Sequence, residues 1–514
     1  MKNDTILVLN FGGQYCHLIG RRIRDSGVYS EVVQCGISPD EIREMGKRLN
    51  IKGIILSGGP ASIYEKDAPA MDRKILDLGI PILGICYGHQ LLASYLDGKV
   101  VRAEKHEYGA STAEILKPVG ILKGLGKKED IWMSHGDTVL SLPPGIEVTA
   151  RTSQCPIASY MDGPRQLFGI QWHPEVVHTR NGDRVLNNFL FDICKCERNW
   201  DAERNETSYI DEIRKEVGEK NAIIAMSGGV DSSTAAILAS KALGGKLTAV
   251  FVDTGLMREG EPQKIKEMAS KLKVNLVQID ASNEFLGALK GVSDPEQKRK
   301  IIGREFIRAF EKEAAKIDAR YLIQGTIYPD RIESVHSKKS SVIKTHHNVG
   351  GIPTDIDFDG VIDPLKDLYK DEVRKLAAKL GMPEDMVHRQ PFPGPGLGVR
   401  VMGEITKEKV ELLRKAEAIV SGEIEKAPLG KRPWQYFAVL TDTRSTGVKG
   451  DSRAYGHVIA VRAVESKEAM TAGFSRISYE MLERISTRIT SEIPQVVRVV
   501  YDITNKPPAT IEWE

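Results

Sequence analysis

The sequence predicts an α/β protein: two doubly wound, mostly parallel α/β domains followed by a small α+β C-terminal domain. Three observations predict it. Short apolar runs alternate with helical stretches from residue 5 to about 197 and again after about 207, the pattern of strands joined by crossover helices. At 514 residues the chain exceeds what one core organises. A Pro- and Gly-rich run at 389–400 then ends the second alternation, and amphipathic strands and helices follow it. The expected domains are 1–197, 207–390 and 391–514, with the charged, polar stretch 198–206 as linker or as a solvated helix face.

Composition narrows the function classes. With 72 basic against 70 acidic residues, no nucleic-acid or membrane surface is expected. The apolar run ending at Asn10 is too brief for a signal peptide, and no stretch reaches transmembrane length, so a soluble, cytoplasmic protein is expected. All six cysteines lie before residue 200, which sets a first module apart without making a disulfide framework. Cys194 and Cys196 form a C-x-C with no second pair, which reads as buried thiols, not zinc ligands.

In the first module, 6–9, 53–56 and 80–85 read as strands. The third ends in Gly84-Ile-Cys86-Tyr-Gly88-His-Gln90, where a strand-to-helix turn would hold a nucleophile at the carboxyl edge of the sheet, so Cys86 is a candidate. His89, three positions on along the same helix, does not face the sulfur. After strand 167–170 comes Gln171-Trp-His173-Pro-Glu175, a spacing at which Glu175 can fix the tautomer of His173. Ser57-Gly-Gly-Pro60 can present backbone amides to an oxyanion.

In the second module, strand 222–226 runs into Ser227-Gly-Gly-Val-Asp-Ser-Ser233 and a helix to 243. Glycines 228 and 229 permit the turn, and the hydroxyls of Ser227, Ser232 and Ser233 join the amides of a helix N-terminus, an arrangement suited to phosphate. Asp231 would repel phosphate unless a hard cation such as Mg²⁺ lies between them. A turn merely capped by Ser and Asp is the plainer alternative for a Gly-Gly pair alone. Residues 328–360 lack helical or strand period and are expected to form a lid, with Lys344 as its mobile cation; His346 and His347 lack a second ligand pair for a metal. The run 389–400 reads as a stiff interdomain linker. Beyond it come strands 436–440 and 458–464 around a basic loop at 443–455, a helix near 475–491, strand 496–501, and a tail in which Ile511 and Trp513 alternate with Glu512 as in a strand.

These motifs carry resemblances. G-G-P, G-I-C-Y-G-H-Q and H-P-E, in that order, resemble the class I glutamine amidotransferases, and S-G-G-V-D-S-S is identical to the PP-loop of the ATP pyrophosphatases. The order of modules, the I-K-T-H-H-N-V-G-G and R-Q-P-F-P-G-P-G-L segments and the tail resemble the glutamine-hydrolysing GMP synthetases over the whole chain. The resemblance implies Cys86 as nucleophile on glutamine, His173 as base then acid, Glu175 as its orienter, and the amides of Gly59 and Tyr87 as oxyanion hole. It implies glutamine contacts at Gln90, Ser134, His135 and Gly136. It places MgATP at Ser227, Gly228, Gly229, Val230, Asp231, Ser232 and Ser233, with adenine beside Val252. XMP contacts are implied at Arg299, Gln435, Arg498, Lys506 and Glu512, and a homodimer through the C-terminal domain. NAD and asparagine synthetases also join PP-loops to glutaminases, but the tail fits neither. A non-enzymatic nucleotide-binding scaffold would require a broken site, whereas Cys86, His173, Glu175 and Asp231 are all present.

Overall fold

The computed structural model describes residues 2–203, 205–331, 358–466 and 471–514; the expected lid residues Lys344, His346 and His347 lie outside the described residues. The chain divides into two compact units, Met1–Asp201 and Ala202–Glu514.

The first unit is built on nine strands: β1 (Asp4–Asn10), β2 (Tyr29–Gln34), β3 (Asn50–Leu56), β4 (Ile82–Ile85), β5 (Lys99–Ile115), β6 (Lys128–Ser141), β7 (Glu147–Arg151), β8 (Ser159–Asp162) and β9 (Leu167–Ile170). They lie in the order β2-β1-β3-β4-β9-β8-β7-β5-β6. The run from β2 to β9 is parallel, and its strands are buried along most of their length, as in a sheet covered on both faces. From β9 outward every pairing is antiparallel. This long hairpin extension is not expected from the sequence, since β5 and β6 alternate polar with apolar residues and lack the continuous runs of the parallel strands. Residues 198–201 finish the unit: Trp200 is buried against Tyr29, and its N–H donates to the carbonyl of Gly27 at 3.0 Å.

The second unit holds a five-stranded parallel sheet of β10 (Asn221–Ala225), β11 (Leu247–Asp253), β12 (Leu276–Asp280), β13 (Ala319–Ile323) and β14 (Gly360–Ile362), in the order β12-β11-β10-β13-β14. The order in which strands are added reverses between β10 and β13, so the crevice for a ligand opens at their carboxyl ends. A second sheet comprises β15 (Gln435–Lys449), β16 (Ser452–Glu465), β17 (Gly473–Phe474) and β18 (Val496–Asp502), with β18 pairing β16 in parallel. One hydrophobic core joins the two sheets, from Ile223 and Val250 through Leu256, Leu397 and Val401 to Leu413, Ile459 and Ile489.

Three expectations need correction here. The run 389–400 is not a linker: it passes through that core, with Leu397, Gly398, Val399 and Arg400 all buried. The basic loop at 443–455 is instead the continuation of a β-hairpin, paired as far as Lys449 opposite Ser452. Its two-residue turn, Gly450-Asp451, has positive φ at both positions (53° and 59°), which matches the twist of the flanking strands. The tail after Asp502 is not a strand. It makes one isolated bridge, Lys506 with Ala472, and is otherwise held by side chains, although Ile511 is buried as expected.

Candidate active sites

Cys86 forms the whole turn between β4 and the helix Tyr87–Tyr95, at a φ of 53° that a β-carbon resists. Small neighbours make the turn possible: a β-carbon on Gly84 would lie 2.4 Å from the carbonyl oxygen of Gly88, and one on Gly88 2.4 Å from that of Leu56. Because β4 pairs with β9 and Ile85 stands opposite Ile170, the chain leaves β9 towards His173 right beside the sulfur. Gly58 closes the other side, where a β-carbon would meet His173 Cε1 at 3.3 Å and Cys86 Cβ at 3.5 Å.

His173 Nδ1 donates to Glu175 Oε1 at 2.7 Å, with both side chains buried. That leaves Nε2 for the Cys86 side chain, its second hydrogen-bond partner. Tyr15 packs edge-on against the imidazole at 5.1 Å, and the backbone is pinned by Trp132 O and by Thr179 Oγ1, which donates to His173 O at 2.6 Å. Burial opposes charging of the ring, but the Glu175 carboxylate, with Cys86 as a second partner, outweighs it, and His173 is held well above the usual imidazole range. His89 is the opposite case. Burial first, then nearby His135, lowers its pKa to about 3, and the ring lies tilted against that of Tyr160 with centroids 4.8 Å apart, so it is no base.

Tyr87 is the first residue of its helix, where the N–H has no intrahelical acceptor. Its ring lies against Gly59, the other expected oxyanion donor. Ser134 borders the nucleophile, its carbonyl 3.5 Å from Cys86 Sγ. His135 and Gln90 converge on the carbonyl of Asp137 at 2.8 and 2.9 Å, and Gly136 packs on His106. Ser57 does more than open the expected G-G-P loop: its hydroxyl accepts from Phe11 N–H at 3.1 Å and donates to Gly58 O at 3.0 Å, fixing that loop. Of the other thiols Cys16, Cys155, Cys194 and Cys196 are buried and Cys35 is half-buried, and burial pushes Cys16 and Cys196 up to about 12.

The second site lies at the switch point of the five-stranded sheet. Residues 226–229 turn from β10 into the helix Val230–Leu243, with Gly228 at φ 76°. Ser227 and Ser232 hydroxyls are 3.0 Å apart, and Ser232 also accepts from Ser227 N–H at 3.2 Å. Gly325, just after β13, packs so closely that a β-carbon would lie 2.9 Å from Ser232 N. Ser233 and Val252, by contrast, are buried, Val252 in the core beneath the sheet. Two residues that the sequence reading missed complete the loop's surroundings. Lys370, at the start of the helix Lys370–Lys379, forms an ion pair with Asp231, and Arg389 forks onto Glu261 while reaching Gly228 O at 3.3 Å. No local period ties residue 370 to 231; only the fold brings them together.

The residues expected at XMP fall into groups. Gln435 Nε2 donates to Glu512 Oε1 at 2.8 Å, so these two meet. Arg299, in the helix Pro295–Lys316, lies 3.8 Å from Glu296, while its neighbour Lys298 is fully buried and pairs with Glu514 of the tail. Arg498 Nε donates to Ser445 Oγ at 3.0 Å on the exposed sheet, and Lys506 is fixed through its backbone at Ala472. Buried Arg462 ties the tail down further, donating to the carbonyls of Thr504 and Thr510 at 2.5 and 3.1 Å.

A Cys-His-Glu centre on one α/β unit and a phosphate loop on another define a class: a triad-type glutamine amidotransferase joined to a PP-loop ATP-using synthetase. The comparisons agree. The class-I glutamine amidotransferase family matches residues 7–193, the NAD synthase family residues 203–394 and the GMP synthase C-terminal domain family residues 422–513. The chain is 49% identical to the glutamine-hydrolysing GMP synthase of Caldanaerobacter subterraneus over 516 aligned positions, covering 100% of both chains. It is 51% identical to that of Limosilactobacillus reuteri, covering 99% of this chain and 98% of the relative, and 50% identical to that of Geobacillus kaustophilus, covering 100% of both. The chain belongs to the glutamine-hydrolysing GMP synthase family and is an enzyme, a ligase with an amidotransferase domain.

Proposed function

We propose that the protein makes GMP from XMP, adenylylating XMP with MgATP and aminating the product with ammonia from glutamine. Cys86 attacks the carboxamide of glutamine, His173 takes the thiol proton and gives it to the leaving ammonia, water then cleaves the glutamyl thioester to release glutamate and restore the thiol, and Glu175 keeps the ring oriented. The amides of Gly59 and Tyr87 stabilise the oxyanion, while Gln90, Ser134, His135 and Gly136 hold the substrate. In the second unit the C2 oxygen of XMP attacks the α-phosphate of ATP and pyrophosphate leaves; ammonia then adds at C2 and AMP departs. Ser227, Gly228, Gly229, Val230, Ser232 and Ser233 supply the phosphate cradle, Val252 the adenine side, and Arg299, Gln435, Arg498, Lys506 and Glu512 the XMP site.

The residues present fit a magnesium ion. Asp231 Oδ1 is buried without a hydrogen-bond partner, while Oδ2 faces Lys370. An ion of this kind is held chiefly by substrate phosphates and water, with one or two carboxylates. Asp231 would hold that ion, which when bound neutralises phosphate charge. We further read residues 207–390 as the ATP module and 391–514 as the XMP-binding and dimerisation module, since Val448, Tyr455 and Val500 leave apolar surface on its sheet.

The observation that carries the reading is the PP-loop at the switch point with Asp231 and Lys370 facing each other. Incubation with XMP, MgATP and glutamine should yield AMP and pyrophosphate with GMP. ADP and inorganic phosphate would overturn it.

A further inference from the structure

Three fully buried cations, Lys298, Arg400 and Arg462, serve the last dozen residues of the chain, and one of them does more than anchor. Arg400 lies at the end of the short turn Gly396–Arg400, locked in the core. Its guanidinium sits 4.0 Å from the ring centre of Phe437 and 5.4 Å from that of Phe392. Nε and Nη2 fork onto the two oxygens of Glu512, at 3.0 and 2.8 Å, and Nη1 turns the other way to Glu417 at 3.3 Å. Glu417 is itself fixed, accepting from Ala438 N–H at 2.8 Å and standing 3.5 Å from Arg258 Nε.

Glu512 needs such a hold. It lies on a segment without helix or strand, and a glutamate there would sample several rotamers. A carboxylate offers about four lone-pair sites. Arg400 and Gln435 take three of them, two on Oε1 and one on Oε2, and the side chain keeps 21% exposure while Arg400 has none. The carboxylate is thus clamped from behind with acceptor capacity left on Oε2.

We propose that Arg400, backed by Glu417, is a positioning residue for XMP recognition: its fork fixes Glu512 so that the remaining acceptor meets a substrate N–H or O–H. This rests on the reading of Glu512 as an XMP contact. A lysine keeps the charge but cannot make the fork.

The test is a double-mutant cycle on the full chain, assayed with ammonium so that Cys86 is not needed. Arg400→Lys should raise KM for XMP roughly tenfold or more, as loss of an oriented charged hydrogen bond does, with KM for ATP and the melting temperature little changed. Glu512→Gln should also raise KM for XMP, and the double variant should be no worse than Glu512→Gln alone. If the two effects multiply, or if Arg400→Lys leaves XMP binding untouched while Glu512→Gln weakens it, Arg400 is only structural and the proposal fails. If Glu512→Gln has no effect, the reading of Glu512 falls and takes the proposal with it. Should Arg400→Lys not fold, Glu417→Gln decides: a rise in KM for XMP alone supports the clamp, and no rise overturns it.

Discussion

The Cys86 centre and the PP-loop site meet the same demand, holding charged groups in place, in opposite ways. At Cys86 every partner is protein: the carboxylate of Glu175 is buried behind His173, the imidazole is fixed at both ring nitrogens, and the sulfur is held out by a strained turn. At the PP-loop the hydroxyls lie near solvent, and Asp231 is balanced by a lysine that arrives from 139 residues away in sequence. The first holds its imidazole through contacts within the protein. The second, on the proposed reading, has groups whose counterparts are phosphates and a cation. A site that must generate a nucleophile is built closed, whereas one that must admit a triphosphate stays open and keeps its charges paired until the ligand replaces a partner.

The largest effect should come from breaking the closed site. Cys86→Ala should abolish glutamine-driven synthesis, a loss on the order of 10⁴-fold or more, while synthesis at high ammonium stays near wild type. Parallel assays of GMP formation with the two nitrogen sources check this. Loss of both activities in a folded variant would mean that the two sites do not work separately.

Asp231→Asn should cost less, about 10²- to 10³-fold in XMP-dependent ATP–pyrophosphate exchange, the scale of one electrostatic contact to a transferring phosphoryl group. Glutaminase activity should persist. Lys370→Met should slow exchange by a similar factor, because it removes a cation from the phosphate site. Normal exchange in both variants would show that their ion pair is only a surface contact, and the open-site description would not hold.

Legibility in the sequence follows the same division. The placement of Cys86, His173 and Glu175 could be read because each lies within a few residues of a strand end, where local pattern dictates geometry. The Ser227–Ser233 turn was readable for the same reason, down to the helix it starts. Lys370, Arg389 and Arg400 were not, since their partners come from distant segments through tertiary packing. The Gly450-Asp451 turn was a local signal that the run of basic residues concealed. The antiparallel strands β5–β8 were passed over because half-exposed strands lack the apolar continuity of the parallel ones. The tail's alternation pointed to burial correctly and to a strand incorrectly, because buried arginines, not a ladder, hold it.

The protonation of His173 offers a smaller test. Its folded pKa lies above the unfolded value of about 6.5. The stability this adds is therefore fully present below pH 6.5 and is lost as pH rises through the folded value. Glu175→Gln removes a major cause of the shift. Chemical denaturation of the two proteins from pH 6 to 10 should show wild type losing stability with rising pH more steeply than the variant. Equal slopes would mean that the ring is not held charged.

The smallest expected effect concerns an exposed group that reaches the closed centre. Tyr64, 55% exposed, donates its hydroxyl to Asp137 Oδ1 at 2.6 Å, and the carbonyl of the same Asp137 takes bonds from Gln90 and His135. If the centre is complete in itself, this bond only steadies the rim. A hydrogen bond to a carboxylate is worth about 1.5 to 3 kcal/mol when buried, and solvent competition at an exposed tyrosine brings it to about 1 kcal/mol or less. Tyr64→Phe should then raise KM for glutamine by no more than about fivefold, with kcat for glutamate release and labelling of Cys86 by a glutamine-analogue electrophile unchanged. A fall of about a hundredfold in kcat would place Tyr64 among the groups that set the geometry at Asp137 in the transition state. The Cys86 centre would then be a site that closes on its substrate, and its contrast with the PP-loop would disappear.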